Sequence, residues 1–172
     1  MKSSHALILV ATIWLILGAV YYPKWAKPWS EATISWDVSG YYHYLPALFI
    51  YHDLRQQNWM QAINEKYLPS PAYDQAFDHQ PSGHKVNKYA IGQAVLYAPF
   101  FLLGHTYANL TGTFPADGYS RPYQLAIWLG SLLISILGLW CLRKILLLYF
   151  TDAAVMWTLL ALGLGTHWME YA

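Results

Sequence analysis

Asp37 stands in the run Trp36-Asp37-Val38-Ser39-Gly40-Tyr41-Tyr42-His43-Tyr44-Leu45-Pro46, fifteen residues beyond an almost purely apolar stretch at 6–22. A carboxylate set among aromatic rings beside a membrane anchor is costly unless it is hydrogen-bonded or used. Two kinds of chemistry suit it. It can take a proton from an acceptor hydroxyl as a general base, or hold a cation that binds phosphate. In a helix, Tyr41 and Tyr44 follow one and two turns on and share its face. Tyrosine walls suit sugar rings, because the aromatic face packs against C–H groups while the hydroxyl bonds sugar oxygens. The plainer alternative is an N-cap that starts a helix at Ser39. Spacing alone leaves the two readings level.

Other polar residues carry weaker signals. Lys88, in Asn87-Lys88-Tyr89, opens a second apolar block, where a lysine can meet a lipid-linked phosphate or simply snorkel to water. Snorkelling is the commoner case. His43 and His52 can contact a phosphate or lie at headgroup level. Asp78, His79 and His84 are metal-ligand types in a Pro/Gly loop without a second ligand pair. No metal or other cofactor is therefore expected, a divalent ion being the lesser alternative. Asn109-Leu110-Thr111 matches a glycosylation sequon, a short pattern that recurs by chance. The chain has no P-loop, no Gly-x-Ser-x-Gly, no His-Glu-x-x-His and no dinucleotide fingerprint.

The elements that must position these residues follow from composition. Of 172 residues, 56% are hydrophobic and 11% charged, against about 25% charged in soluble domains. A net charge of +1 without a basic patch argues against nucleic acid as a partner. The single cysteine, Cys141, excludes an intrachain disulfide. The 15 tyrosines and 9 tryptophans belong to types enriched where protein meets lipid headgroups. The expected fold class is all-α: polytopic transmembrane helices with a loop that holds interfacial helices, and membrane lipid as a partner.

Four apolar blocks stand out, at 6–22, 89–110, 122–142 and 153–169. The first, roughly 25 Å of helix, is just long enough to span. Tyr21-Tyr22-Pro23 supplies no small-x-small cleavage site, so it reads as an uncleaved anchor rather than a signal peptide. The second is interrupted by Gly92, Gln93, Pro99, Gly104 and His105. Pro122 suits a first helical turn in the third, and Arg143-Lys144 closes it. Thr151-Asp152 is a plausible N-cap for the fourth. Ser131, Ser135, Gly138, Ala161 and Gly165 recur at helical spacing and read as close packing faces, with chance an even alternative.

Between the first two blocks, 23–88 holds six of the nine acids, six of the ten Lys and Arg and four of the seven histidines. Site chemistry should involve this segment. Residues 68–83 carry loop composition. Residues 39–57 read as an amphipathic interfacial helix, with Tyr41, Leu45, Leu48 and His52 on one stripe and a kink at Pro46. If all four blocks span, Arg143-Lys144 lies on the side of the 23–88 loop; if the second only lies in the interface, the pair lies opposite. The positive-inside rule places Arg143-Lys144 in the cytoplasm, while Lys24 and Lys27 pull the loop there too.

The order of parts is an anchor, a loop with an early acid and an aromatic helix. Then come Tyr-Ala-Ile-Gly-Gln-Ala-Val-Leu-Tyr-Ala-Pro-Phe-Phe-Leu-Leu-Gly-His (89–105), Ala-Asp-Gly-Tyr-Ser-Arg-Pro-Tyr (116–123), a span closing in Arg-Lys, and Gly-Thr-His-Trp-Met-Glu-Tyr-Ala (165–172). This resembles the N-terminal part of bacterial polytopic glycosyltransferases of the GT-C class, related to the protein O-mannosyltransferase and aminoarabinose transferase group. The resemblance implies an inner-membrane, multi-pass protein with a cytoplasmic N-terminus and an outward loop at 23–88. It implies a juxtamembrane helix at 89–110, and spans at 122–142 and 153–169. It also implies transfer of a sugar from a polyprenyl-phosphate donor to an acceptor at the outer face. Asp37 would be the catalytic base or the acidic residue of the acceptor site. Tyr41, Tyr42, His43, Tyr44 and Lys88 would bind substrate, the tyrosines against sugar or lipid and Lys88 with a histidine against phosphate. Many members have a second acid where this chain has Val38, and Pro-Pro where it has Ala90-Ile91. They also have more spans than 172 residues hold, so the chain is expected to be a fragment or module, inactive alone. The competing class is a non-enzymatic membrane subunit whose aromatic loop binds a partner.

Overall fold

The structure, a computed structural model, describes residues 3–70 and 75–165. It is mostly helical. The elements are α1 (Ser3–Tyr21), α2 (Trp36–Tyr42), α3 (Tyr44–Phe49), α4 (Met60–Tyr67), β1 (Ala76–His79), β2 (His84–Asn87), α5 (Gly92–Thr111), α6 (Arg121–Leu146) and α7 (Asp152–Gly165), with short 3₁₀ turns at Lys24–Ala26 and Trp29–Glu31. Two compact units result: Met1–Pro23 with Ser131–Ala172, and Lys24–Gly130.

The first unit is an apolar helical cluster. Ile8, Leu139, Val155 and Leu159 are buried at its centre. A polar cluster lies at one end. The Ser4 hydroxyl donates to Asp152 Oδ1, the Ser4 amide donates to Asp152 Oδ2 at 3.3 Å, and Arg143 Nε donates to Ser4 Oγ at 3.0 Å. Arg143 is therefore a buried, bonded side chain rather than a solvated stop signal. The starts of α1 and α7 meet the end of α6 there, so α6 runs antiparallel to both within this unit. Thr151 caps α7, its hydroxyl accepting from Ala154 N at 3.4 Å. The small-residue face does not form as expected: Gly138 is exposed, with open space where a Cβ would stand, and Leu139 does the packing. Residues 166–169 of the fourth apolar block lie outside the described residues.

Two helical runs, Ser3–Ala26 and Arg121–Leu146, are long and apolar enough to cross a membrane. Twenty-six residues span roughly 39 Å, more than a hydrocarbon core of roughly 30 Å requires. Helix α5 does not match them. It buries Ala94, Tyr97, Phe101, Gly104 and Ala108, a stripe with helical spacing, against Tyr42, Tyr123 and Ile127 in the core of the second unit. Gly104 permits close approach to the start of α6: a Cβ there would stand 3.2 Å from the Pro122 carbonyl and 3.3 Å from Ala126.

The helix expected at 39–57 is shorter and broken. Pro46 has no N–H, and its ring conflicts with the carbonyl four residues back, at Tyr42. The break falls at His43, between α2 and α3. Chain continuation past Phe49 is stopped by Asp53, whose carboxylate accepts from the amides of Arg55, Gln56 and Asn58 at 3.1, 2.8 and 3.2 Å. His52 takes a left-handed φ of 50° and does not share a helix face with His43. The expected loop at 68–83 contains part of an antiparallel hairpin in which His79 pairs with His84 and Asp78 with Lys85.

Candidate functional site

Helix α2 begins at Trp36, which holds a left-handed φ of 48°, and Asp37 occupies its first turn. Ser35, not Asp37, stands at the cap position. The carboxylate is exposed and meets a different partner: Tyr89 Oη donates to Asp37 Oδ1 at 2.5 Å. The first-turn position also favours a negative charge through the helix dipole.

Tyr89 is the centre of the site. The Tyr41 ring meets it edge-on at 4.6 Å between centroids, the Tyr44 hydroxyl donates to its carbonyl at 2.5 Å, and Lys88 Nζ lies 5.1 Å from its ring. Asn87 fixes both sides of this contact. Its side chain donates to the Gly40 carbonyl at 2.9 Å and accepts from the Tyr89 amide at 3.0 Å. Gly40 has to be a glycine, since a Cβ would stand 2.1 Å from the Tyr89 ring. Gln75 joins the other side, donating to the Trp36 carbonyl at 2.9 Å and to Ser39 Oγ at 3.1 Å. Burial first, then the Asp37 hydrogen bond and charge, pushes the Tyr89 phenol up to about 12. Tyr89 therefore stays a neutral donor at physiological pH. It orients a carboxylate that solvent-borne ligands can reach.

Of the residues expected to act with Asp37, the structure brings together Tyr41, Tyr44 and Lys88. Tyr42 and His43 turn away. Tyr42 is fully buried, its hydroxyl bonded to the Gly118 carbonyl and its ring packed on Phe101 and Tyr119. It is a core residue. His43 is buried and stacked on Trp59 at 4.9 Å. Burial pulls it down to about 4, although the adjacent Gln57 side chain opposes the shift. Neither ring nitrogen makes a hydrogen bond of ordinary geometry.

His43 opens instead onto a cavity of about 400 Å³ whose lining includes Gln57, Asn64, Ser70, Gln75 and Lys85. Ser70 Oγ and Gln75 Oε1 are likewise buried without partners. Such groups favour a ligand that can both donate and accept. Of the candidate metal residues, Asp78 pairs with Lys85 at 3.3 Å and His79 Nδ1 contacts Ser82 Oγ at 2.8 Å, while His84 Nδ1 is buried without a hydrogen-bond partner. Among the described residues no group of three His, Cys, Asp or Glu side chains could hold a metal ion.

Sequence reasoning singles out Asp37 but misses Tyr89, Gly40, Asn87 and Gln75 as its supports. Their contacts join α2 to the hairpin and its flanks, which no local periodicity reports. The chain matches no protein-family model, no curated protein and no solved structure.

Proposed function

We propose that this chain is the membrane-anchored, acceptor-handling part of a glycosyltransferase that uses a polyprenyl-phosphate-linked sugar at the outer face of a bacterial inner membrane. The observation that carries this reading is the exposed Asp37 carboxylate held by the neutral Tyr89 phenol, with Tyr41, Tyr44 and Lys88 around it. In the proposed step an acceptor hydroxyl oxygen attacks the anomeric carbon. The bond from that carbon to the phosphate oxygen breaks, and the polyprenyl phosphate leaves with the electron pair. Asp37 takes the acceptor proton. Lys88 offsets phosphate charge, while Tyr41 and Tyr44 pack against the sugar or lipid. The His43 cavity, with its buried Ser70 and Gln75 oxygens, suits a hydroxyl-bearing part of a substrate.

Chain orientation fits the proposal. Ser4, Arg143 and Asp152 share one end of their unit, so α1 and α6 run in opposite directions. With both as spans and α5 outside the bilayer, the N-terminus and the α6–α7 turn are cytoplasmic and α7 starts the next crossing. The test is the glycan profile of host-cell envelopes by mass spectrometry, with Asp37→Asn introduced at the native locus of the full-length protein. The expected result is loss of one glycan modification with membrane insertion unchanged. An unaltered profile with normally inserted protein contradicts the proposal.

A further inference from the structure

A second cavity, of about 320 Å³, lies within the unit Lys24–Gly130 and is lined in part by Trp25, Lys27, Trp29, Tyr119 and Arg121. We propose that it binds the phosphate headgroup of an anionic membrane phospholipid. Its described lining contains two cationic side chains and no Asp or Glu. The Arg121 guanidinium lies 5.0 Å from the centre of the Trp25 ring. Arginine held on an aromatic face keeps its planar N–H fork, the geometry that matches two phosphate oxygens. Gln124, the uncharged polar residue of the lining, is committed elsewhere: its oxygen accepts from Ile34 N at 2.8 Å and its amide donates to the Tyr119 carbonyl at 3.1 Å. Arg121 and Lys27 are the charged side chains of this lining.

Position selects a lipid. Trp25 and Ala26 end the apolar run Ser3–Ala26, and Arg121 begins Arg121–Leu146. Both runs that can cross a bilayer therefore terminate in the cavity wall. With those runs in the membrane, the cavity lies at headgroup depth, where tryptophan and tyrosine concentrate and where lipid phosphates are found. Trp29 adds an independent sign. It is 63% exposed and holds a left-handed φ of 52°, a conformation uncommon for a bulky residue and found in turns as well as at ligand clamps. The inference rests on the membrane placement of these two runs and not on the catalytic role of Asp37.

The test uses the full chain in detergent with short-chain lipids as titrants. Binding is followed by native mass spectrometry and by the tryptophan fluorescence change that Trp29→Phe removes. Dihexanoyl phosphatidylglycerol is expected to bind saturably and at least tenfold more tightly than dihexanoyl phosphatidylcholine. Arg121→Gln with Lys27→Gln should abolish that preference. Arg121→Lys keeps the charge but loses the fork, and should give an intermediate affinity in a folded protein. Asp37→Asn should leave lipid binding unchanged, which separates this inference from the transferase reading. Equal affinity for the two lipids, or an unchanged preference in the double variant, overturns the proposal. So does competition by inorganic phosphate at the same concentration as the lipid, since the ligand would then be free phosphate.

Discussion

Tyr89 Oη donates to Asp37 Oδ1 across 52 residues of sequence. The contact joins the first turn of α2 to the end of the β1–β2 hairpin and fixes the orientation of an exposed carboxylate. Each partner is expected to report on the other. Asp37→Asn removes two of the causes that raise the Tyr89 phenol, and so should bring it down from about 12 toward the ordinary value of about 10. Burial, the largest cause, keeps it above that value. Tyrosine-selective ¹³C NMR across alkaline pH, assigned with Tyr89→Phe, reads this directly. An unmoved titration means that the two groups do not interact.

Gly40 faces the Tyr89 ring with no room for a methyl group. Gly40→Ala should displace that ring and separate Tyr89 from Asp37, at a cost of about 1–3 kcal/mol from overpacking. Thermal unfolding and the Tyr89 titration should change together. A variant with wild-type stability and an unchanged Tyr89 signal contradicts the close contact.

His43 gives the second unit a defined pH dependence. Its folded value of about 4 lies below the unfolded value of about 6.5, so the unfolded chain binds more protons between those limits. The stabilisation from burying a neutral imidazole is fully present above about pH 6.5 and is lost as pH falls toward 4. The loss approaches roughly 3 kcal/mol. His43→Gln should flatten this limb of the stability profile in chemical unfolding between pH 7 and 4. An equally steep limb in the variant assigns it to other groups.

Asp117 is the main carboxylate anchor of the second unit. It accepts from the amides of Tyr119 and Ser120 at 3.0 Å each, from Tyr67 Oη at 2.6 Å and from Lys66 Nζ at 3.0 Å. Lys66 is half exposed, so most of the effect resides in the other three bonds. Asp117→Ala should destabilise the unit by about 2–4 kcal/mol by leaving buried donors unpaired. It should also release the Tyr67 phenol, now held above the usual tyrosine range by burial and then by Asp117. A change within 0.5 kcal/mol, roughly that of an ordinary surface substitution, contradicts the role.

The Ser4–Arg143–Asp152 cluster makes the orientation testable. In a Cys141→Ser background, Ser82→Cys should react with an impermeant maleimide from outside intact cells. Leu148→Cys should react only after permeabilisation. The reverse pattern, or equal outside labelling of both, contradicts the placement of 23–88 beyond the membrane.

The long apolar runs are legible because bilayer-length hydrophobicity is a property of local sequence: 6–22 and 122–142 fall almost wholly within α1 and α6. The interrupted second block also yields its helix, although its role in packing depends on Tyr42 and Tyr123, which are remote in sequence. The hairpin escapes a sequence reading because its strands are short and largely polar. Gln80-Pro81-Ser82-Gly83, with Gly83 at a φ of 66°, is the available turn signal. The 39–57 helix reads too long because Asp53 gathers three amides into a turn, an outcome that hydrophobic periodicity does not encode. Asp37 is visible by its type and setting. Tyr89 is hidden, since it reaches Asp37 only through the hairpin. The burial of Arg143 is hidden because Ser4, which binds it, and Asp152, which binds Ser4, lie far apart in the sequence.

The most direct test of the central claim is the rate of label transfer from the lipid-linked sugar pool of host membranes. The membranes carry the full-length protein as wild type, as Asp37→Asn or as Asp37→Glu. A proton-accepting carboxylate predicts a fall of about 10²–10⁴-fold for Asp37→Asn and partial retention for Asp37→Glu. Transfer by Asp37→Asn within a few-fold of wild type, in membranes holding equal amounts of protein, contradicts the account.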